Sequence, residues 1–131
     1  MNIEIQILTI IISSLLSGII GVIISIIYHR KYEKYRAKLE TLKNLVGYRS
    51  DVRSAEFSKA LNEILIVFQN SREVLKAMEN FREKLILGQG NNNLANSSLL
   101  KLVKTMCKNL KIDINKVNDD NFLQAFNVRK Y

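Results

Sequence analysis

Residues 5–28 read IQILTIIISSLLSGIIGVIISIIY. These 24 residues carry no formal charge, and 15 of them are Ile, Leu or Val. As an α-helix rising about 1.5 Å per residue, the stretch covers roughly 36 Å, enough for a hydrocarbon core of about 30 Å with some tilt. Each such side chain near the bilayer centre favours insertion by about 0.3–0.6 kcal/mol, so fifteen of them set an upper bound of roughly 5–9 kcal/mol. Gln6, Thr9 and the serines subtract from it. Lipid offers no partner to an unpaired backbone group, so a lone stretch there is helical in spite of its β-branched residues. A cleavable signal peptide fits poorly: the run is too long, Glu4 stands where a basic segment belongs, and no A-x-A site follows. The competing reading is a buried helix of a soluble core. A chain of 131 residues has little core in which to hide a helix that is apolar on every side.

Past Tyr28 the character reverses. Arg30, Lys31, Lys34, Arg36, Lys38 and Lys43 stand against only Glu33 and Glu40. Basic flanks remain in the cytoplasm. The expected placement is therefore the bacterial inner (cytoplasmic) membrane, with the N-terminus outside and the C-terminal domain cytosolic. A single, unpaired Cys107 suits that reducing compartment. The net charge of +8 falls as −1 over residues 1–28, +5 over 29–53, zero over 54–87 and +4 over 88–131. The expected division is a transmembrane anchor at 1–28, a basic juxtamembrane helix at 29–47 and a cytosolic helical domain at 48–131.

Uncharged residues recur every three or four positions beyond the span, at Tyr28, Tyr32, Tyr35, Leu39, Leu42 and Val46, before Gly47 offers a stop. Counting backwards continues the stripe through Ser25, Gly21, Gly18 and Ser14. Small residues let helix backbones approach closely in lipid, and aromatic or aliphatic seams associate in water. The stripe from Ser14 to Val46 is thus a candidate homo-oligomer interface on one continuous helix. Packing of Leu39, Leu42 and Val46 on the chain's own later helices is the plainer alternative. A second stripe of Gln6, Thr9, Ser13 and Ser17 would line a wet pore if several spans assembled in a ring, although scattered Ser and Thr are also ordinary in single spans.

The remainder reads as helices. There is no Pro, and after residue 28 glycine occurs only at 47, 88 and 90. Ser54 is a candidate N-cap for a helix with Phe57, Ala60, Leu61, Ile64, Val67 and Phe68 on its apolar side. Asn70 and Glu73 fit a broad capping box ahead of Val74, Met78, Phe81 and Leu85, with Gly88 as the stop. The uncharged stretch from Gly88 to Ser98 reads as a loop, after which Ser97 or Ser98 starts a helix bearing Leu99, Val103, Met106 and Leu110. A last short helix, capped at Asn118 or Asp119, carries Phe122, Leu123 and Phe126. The fold class is all-α: an N-terminal transmembrane helix, continuous into a cytosolic bundle of about three to five helices.

Catalytic chemistry finds little footing. His29 is the only imidazole and sits in a basic run at the membrane surface. No G-x-S-x-G elbow is present, and Gly88-Gln89-Gly90 lacks the Gly-Lys-Ser/Thr of a phosphate loop. One Cys rules out multi-thiolate zinc, and Asp113, Asp119 and Asp120 lack the glycine and closing Glu of an EF-hand. Helix capping suits those aspartates better, and Glu63, Glu73, Glu79 and Glu83 read as solvated partners of Lys59, Lys76, Arg82 and Lys84. No enzyme activity, cofactor or metal is expected. Lys101, Lys104, Lys108 and Lys111 form a stripe that, with Arg30, Lys31 and Lys34, could meet anionic lipid; a solvated face is the plainer reading. Nucleic-acid binding is not expected, since no recognition motif accompanies these charges. Asn62 and Glu63 are candidate partners for Arg49, just past Gly47.

The segments LKNLVGYRSDV, ALNEILIVF and LLKLVKTMCKNLKIDI, following a short span that ends in basic residues, resemble a family of small, functionally unassigned bacterial proteins also seen in phages and mobile elements. Its pattern is an anchor, then L-M-x-x-R, then A-L-N-x-I-x-x-x-F, then a leucine-rich helix with a Met. Arg49, Ala60, Leu61, Asn62, Ile64 and Phe68 occupy the marked positions over a match of residues 10–115. Gly47 stands near where the pattern has Met, and Asn91–Asn93 match poorly. The resemblance implies this architecture without an established activity, and points towards phage conflict or mobile elements. The expected function is a single-pass membrane protein that acts through protein–protein contact and oligomerises. The alternatives are an antiphage (abortive-infection) membrane effector whose spans form a pore, and a simple anchor for a cytosolic partner.

Overall fold

With no Pro to break it, the first helix runs unusually far. In the computed structural model, which describes residues 2–87 and 92–123, helix α1 spans Ile3–Gly47. It is followed by α2 (Ala55–Val67), α3 (Arg72–Leu87), α4 (Asn92–Asn109) and α5 (Asp119–Leu123). The fold is all-α, with no strand among the described residues. The chain divides into two compact units, Met1–Lys34 and Tyr35–Tyr131.

The first unit is the apolar part of α1 and the two turns after it. No residue of its apolar window is buried within the chain. Ile, Leu and Val side chains from Ile3 to Ile27 are exposed on every side of the helix. A helix of a soluble core packs on the rest of its chain, and this window does not. It is the one described helix long and apolar enough to cross a membrane.

In the second unit, one core forms from α2, α3, α4 and the last turns of α1. Leu42 and Leu45 come from α1, Phe57, Ala60, Ile64 and Phe68 from α2 and its cap, and Val74, Ala77, Met78 and Phe81 from α3. Leu99, Leu102, Val103, Met106, Cys107 and Leu110 come from α4 and its end. Most are the helical-period positions expected from the sequence; Leu45, Ala77, Leu102 and Cys107 are additions, and Leu61, Val67 and Leu85 are only partly buried. Helix α3 packs chiefly on α4. The Phe57 and Phe81 rings meet edge to face, with centroids 6.1 Å apart at 72°.

Capping explains where the helices begin. The Ser54 hydroxyl accepts from Phe57 N–H at 3.1 Å, as a Ser N-cap should. At α5, Asn118 Oδ1 accepts from Asp120 N–H at 3.1 Å, which makes Asn118 the cap. Two expectations need correction. Helix α3 is capped by Ser71, not Asn70: the Ser71 carbonyl takes the Leu75 N–H bond at 3.1 Å and its hydroxyl faces Val74 N–H. Helix α4 begins at Asn92, five residues before Ser97. The Ser97 and Ser98 hydroxyls instead bond back to the carbonyls of Leu94 and Ala95, so both serines lie inside the helix. The expectations for Gly88 as a stop and for Phe126 lie outside the described residues.

Helix α4 closes with Lys111 at φ 58°, the one described non-glycine residue with positive φ. Ile112 N–H bonds to Cys107 O at 2.9 Å and Lys111 N–H to Lys108 O at 3.1 Å. That pair is a Schellman motif in which a lysine occupies the position usually held by glycine. Gly47, by contrast, ends α1 without a left-handed turn.

Candidate membrane anchor and interaction surfaces

A helix with nothing packed on it presents its whole circumference, so the pattern of side chains decides what each face can do. On the α1 apolar segment, Ser14 and Gly18 lie in a shallow groove walled by Ile10, Leu15, Ile19 and Val22. The Ser14 hydroxyl donates to the Ile10 carbonyl at 2.8 Å, so it needs no outside partner in lipid. Adding a Cβ at Gly18 or Gly21 meets nothing within 4 Å. Nothing within the chain therefore requires glycine at either place. Gln6, Thr9, Ser13 and Ser17 are exposed along the same segment. Thr9 donates to the Ile5 carbonyl at 2.7 Å, which satisfies its hydroxyl within its own helix.

Immediately past the apolar segment, Tyr28 and Tyr32 are exposed, as are Arg30, Lys31 and Lys34. His29 Nε2 lies 3.2 Å from Glu33 Oε1, one turn along. The only carboxylate of this short run is thus turned to the imidazole. Among the described residues no ion pair engages Arg30, Lys31 or Lys34.

In the second unit, the C-terminal part of the expected oligomer stripe is largely spent. Leu42 is buried in the core, and Leu39 and Val46 pack against it. They follow the plainer alternative, while Tyr35 stays exposed. Ser25, like Tyr28 and Tyr32, remains free on the first unit. The lysine stripe divides as well. Lys104 pairs with Asp119 at 2.8 Å and Lys108 with Glu73 at 3.3 Å, whereas Lys101 and Lys111 stand exposed without an ion pair among the described residues. Glu73 thus pairs across to α4 instead of with Lys76 on its own helix, and Glu63 accepts from the buried Thr41 hydroxyl at 3.3 Å. Asp113 accepts from Asn115 N–H at 3.0 Å in a local turn.

Four of the five marked residues of the A-L-N-x-I-x-x-x-F pattern serve the core. Ala60, Ile64 and Phe68 are buried, Leu61 packs against the core, and Asn62 is exposed. Arg49 donates to the carbonyls of Val46 and Phe122, both at 2.7 Å, a reach that sequence spacing did not foretell. Nor did it foretell Lys38, whose ammonium lies 5.2 Å from the Phe68 ring centroid and donates to Asn109 Oδ1 at 3.1 Å. Lys38 lies inside α1 and its partner Asn109 is 71 positions away, so no local spacing signals the contact. Burial pushes the Cys107 thiol above its ordinary pKa, the opposite of what a reactive nucleophile needs.

A long apolar helix exposed on all sides, leading into a small helical domain with a continuous core, defines a helical protein with one candidate membrane-spanning segment. The chain belongs to the family of unknown function DUF6680, which it matches over residues 1–122. No curated protein and no solved structure matches it. Membership agrees with the resemblance to a functionally unassigned family read from the sequence.

Proposed function

We propose that this protein is a single-pass component of the bacterial cytoplasmic membrane, N-terminus outside, that acts by protein–protein contact without catalysis of its own. Copies associate through the face of α1 that carries Ser14, Gly18, Gly21 and Ser25. The observation that carries this reading is the pair of glycines in open space. Glycine inside a helix costs about 1 kcal/mol relative to alanine. Here it relieves no contact within the chain. Close approach of a second helix gives both positions a purpose, since packing of small residues is what holds helices together where apolar burial offers no drive.

The test uses the full chain in mild detergent. Gly18→Leu with Gly21→Leu has open space in the monomer and raises helix propensity. Crosslinked oligomers of the wild type should collapse to a single monomer band in the double variant. Oligomers of unchanged size in the variant, or a wild type that never crosslinks, would remove the self-association and leave a plain anchor for another protein.

A further inference from the structure

The run from Tyr28 to Lys34 is a surface shaped by its position. Six helical residues span about 9 Å, so every charge in it lies within about one Debye length of the end of the apolar segment. Arg30, Lys31 and Lys34 are exposed and have no ion pair among the described residues. Glu33, the one acid among them, is turned to His29 at 3.2 Å. Tyr28, 74% exposed, and Tyr32, 56% exposed, share one side of the helix a turn apart, their rings amphipathic in the way that suits a headgroup layer. The lysine stripe of Lys101, Lys104, Lys108 and Lys111 offers a contrast within the same molecule: two of the four are already matched by Asp119 and Glu73.

We infer that residues 28–34 form an anionic-phospholipid binding collar, in which Arg30, Lys31 and Lys34 bind lipid phosphates and Tyr28 and Tyr32 seat among the headgroups. The inference rests on the reading of residues 5–28 as a membrane span. Two further features favour lipid over other polyanions. The cations begin three positions after Ile27, the last aliphatic residue of the span, so phosphates are the nearest opposite charges once the span is inserted. Tyrosine beside Arg and Lys at that depth matches an interface and offers no groove for a nucleic-acid backbone. Arg30, Lys31 and Lys34 fall on the side of the helix opposite Ser25, so their lipid contacts leave the Ser14–Ser25 face, which Tyr28 and Tyr32 continue, to a second copy.

The full chain is reconstituted into vesicles of equal parts phosphatidylglycerol and phosphatidylcholine, extracted gently, and its retained lipids are weighed by native mass spectrometry. Each cation near a charged surface contributes about fivefold, so phosphatidylglycerol should be retained over phosphatidylcholine by at least about fivefold and by up to about a hundredfold when all three cations engage. The triple variant Arg30→Gln, Lys31→Gln, Lys34→Gln should fall to near parity. The control Lys101→Gln, Lys111→Gln, equally exposed and also without ion pairs, should keep the wild-type ratio. Equal retention of the two lipids by the wild type overturns the collar. So does a triple variant that keeps its preference, a control that loses it equally, or tighter capture of a short DNA duplex than of phosphatidylglycerol. Flotation in pure phosphatidylcholine vesicles after alkaline washing reports the span separately. A chain that floats without lipid preference overturns the collar alone, and one that does not float overturns the span and the collar together.

Discussion

Arg49 donates from Nε to the Phe122 carbonyl at 2.7 Å, and its guanidinium carbon lies 5.2 Å from the centroid of the ring of that same residue. Nη1 of the same group donates to Val46 O at 2.7 Å, one of the carbonyls that the end of α1 leaves without a helical partner. One planar side chain thus closes the last turn of α1 and holds a helix that comes 73 residues later. A helix of five residues cannot hold itself. Among the described residues it is also held by packing of Phe122 against the core and by the Lys104–Asp119 pair, which is exposed and so worth little alone.

Arg49→Ala should therefore release α5 before it harms the rest. Hydrogen bonds from charged donors contribute about 1.5–3 kcal/mol each in favourable settings, and a half-buried site lies at the low end. Hydrogen exchange of the full chain in detergent is the measurement. Amides of residues 119–123 should lose protection by tenfold or more, while those of α3 and α4 change little. Arg49→Lys should recover only part, because an ammonium keeps the charge but not the two-pronged geometry. Unaltered exchange in α5 would show that Phe122 is held by its ring packing alone.

Lys111 invites a change in the opposite direction. A non-glycine residue in the left-handed region costs roughly 1–2 kcal/mol, part of which glycine gives back through its looser unfolded chain. Lys111→Gly should raise stability by about 0.5–1 kcal/mol, and Lys111→Val should lower it by more than about 1 kcal/mol, since β-branching worsens the clash. Thermal melts followed at a helical wavelength suffice. A glycine variant that melts earlier than the wild type would show that the lysine side chain gives more at this position than its backbone strain takes away.

What the sequence revealed follows a physical divide. Period-3.6 patterning is local, so Phe57, Ile64, Val74, Met78, Phe81, Val103 and Met106 were legible as core, and the absence of charge over residues 5–28 was legible as a membrane-length helix. Pairing between elements is not local. Glu73 had Lys76 in reach on its own helix and took Lys108 from α4, while Glu63 accepted from Thr41. Leu39, Leu42 and Val46 share spacing with the tyrosines before them, and only the packed helices reveal that these three face the domain's own core. The start of α4 was hidden because asparagine and serine serve loops and helix ends alike.

The edge-to-face pair of Phe57 and Phe81 joins α2 to α3, and each residue is only 1% exposed. Truncating a buried phenylalanine to alanine costs about 3–5 kcal/mol, against a total stability of about 5–15 kcal/mol for a domain. Phe81→Ala should therefore lower the melting temperature of the α2–α4 core by more than about 10 °C while α1 retains its helicity in detergent. Ile66→Ser, at a side chain 72% exposed, is the matched control and should shift the melt by no more than about 0.5 kcal/mol. Similar losses in both variants would mean that the outer face of α2 is covered in the working protein.

Cys107 supplies a pH dependence of known sign. Burial raises its pKa above the ordinary value of 9.0, so the folded chain holds the thiol proton more tightly than the unfolded chain. Between the unfolded and folded pKa values the unfolded state carries fewer protons, and stability falls as pH rises. Below the unfolded value the contribution is complete. Lysines and tyrosines also titrate in alkali, so the readout is a difference: the wild type should lose more stability between pH 8 and pH 10.5 than Cys107→Ala does. Iodoacetamide at pH 8 should alkylate the native thiol at least tenfold more slowly than the denatured one, because the thiolate is the reacting form and burial withholds it. Rapid labelling of the native chain, or identical alkaline slopes for the two proteins, would mean that the α4 face carrying Cys107 opens far more readily than its packing beside Val103 and Met106 implies.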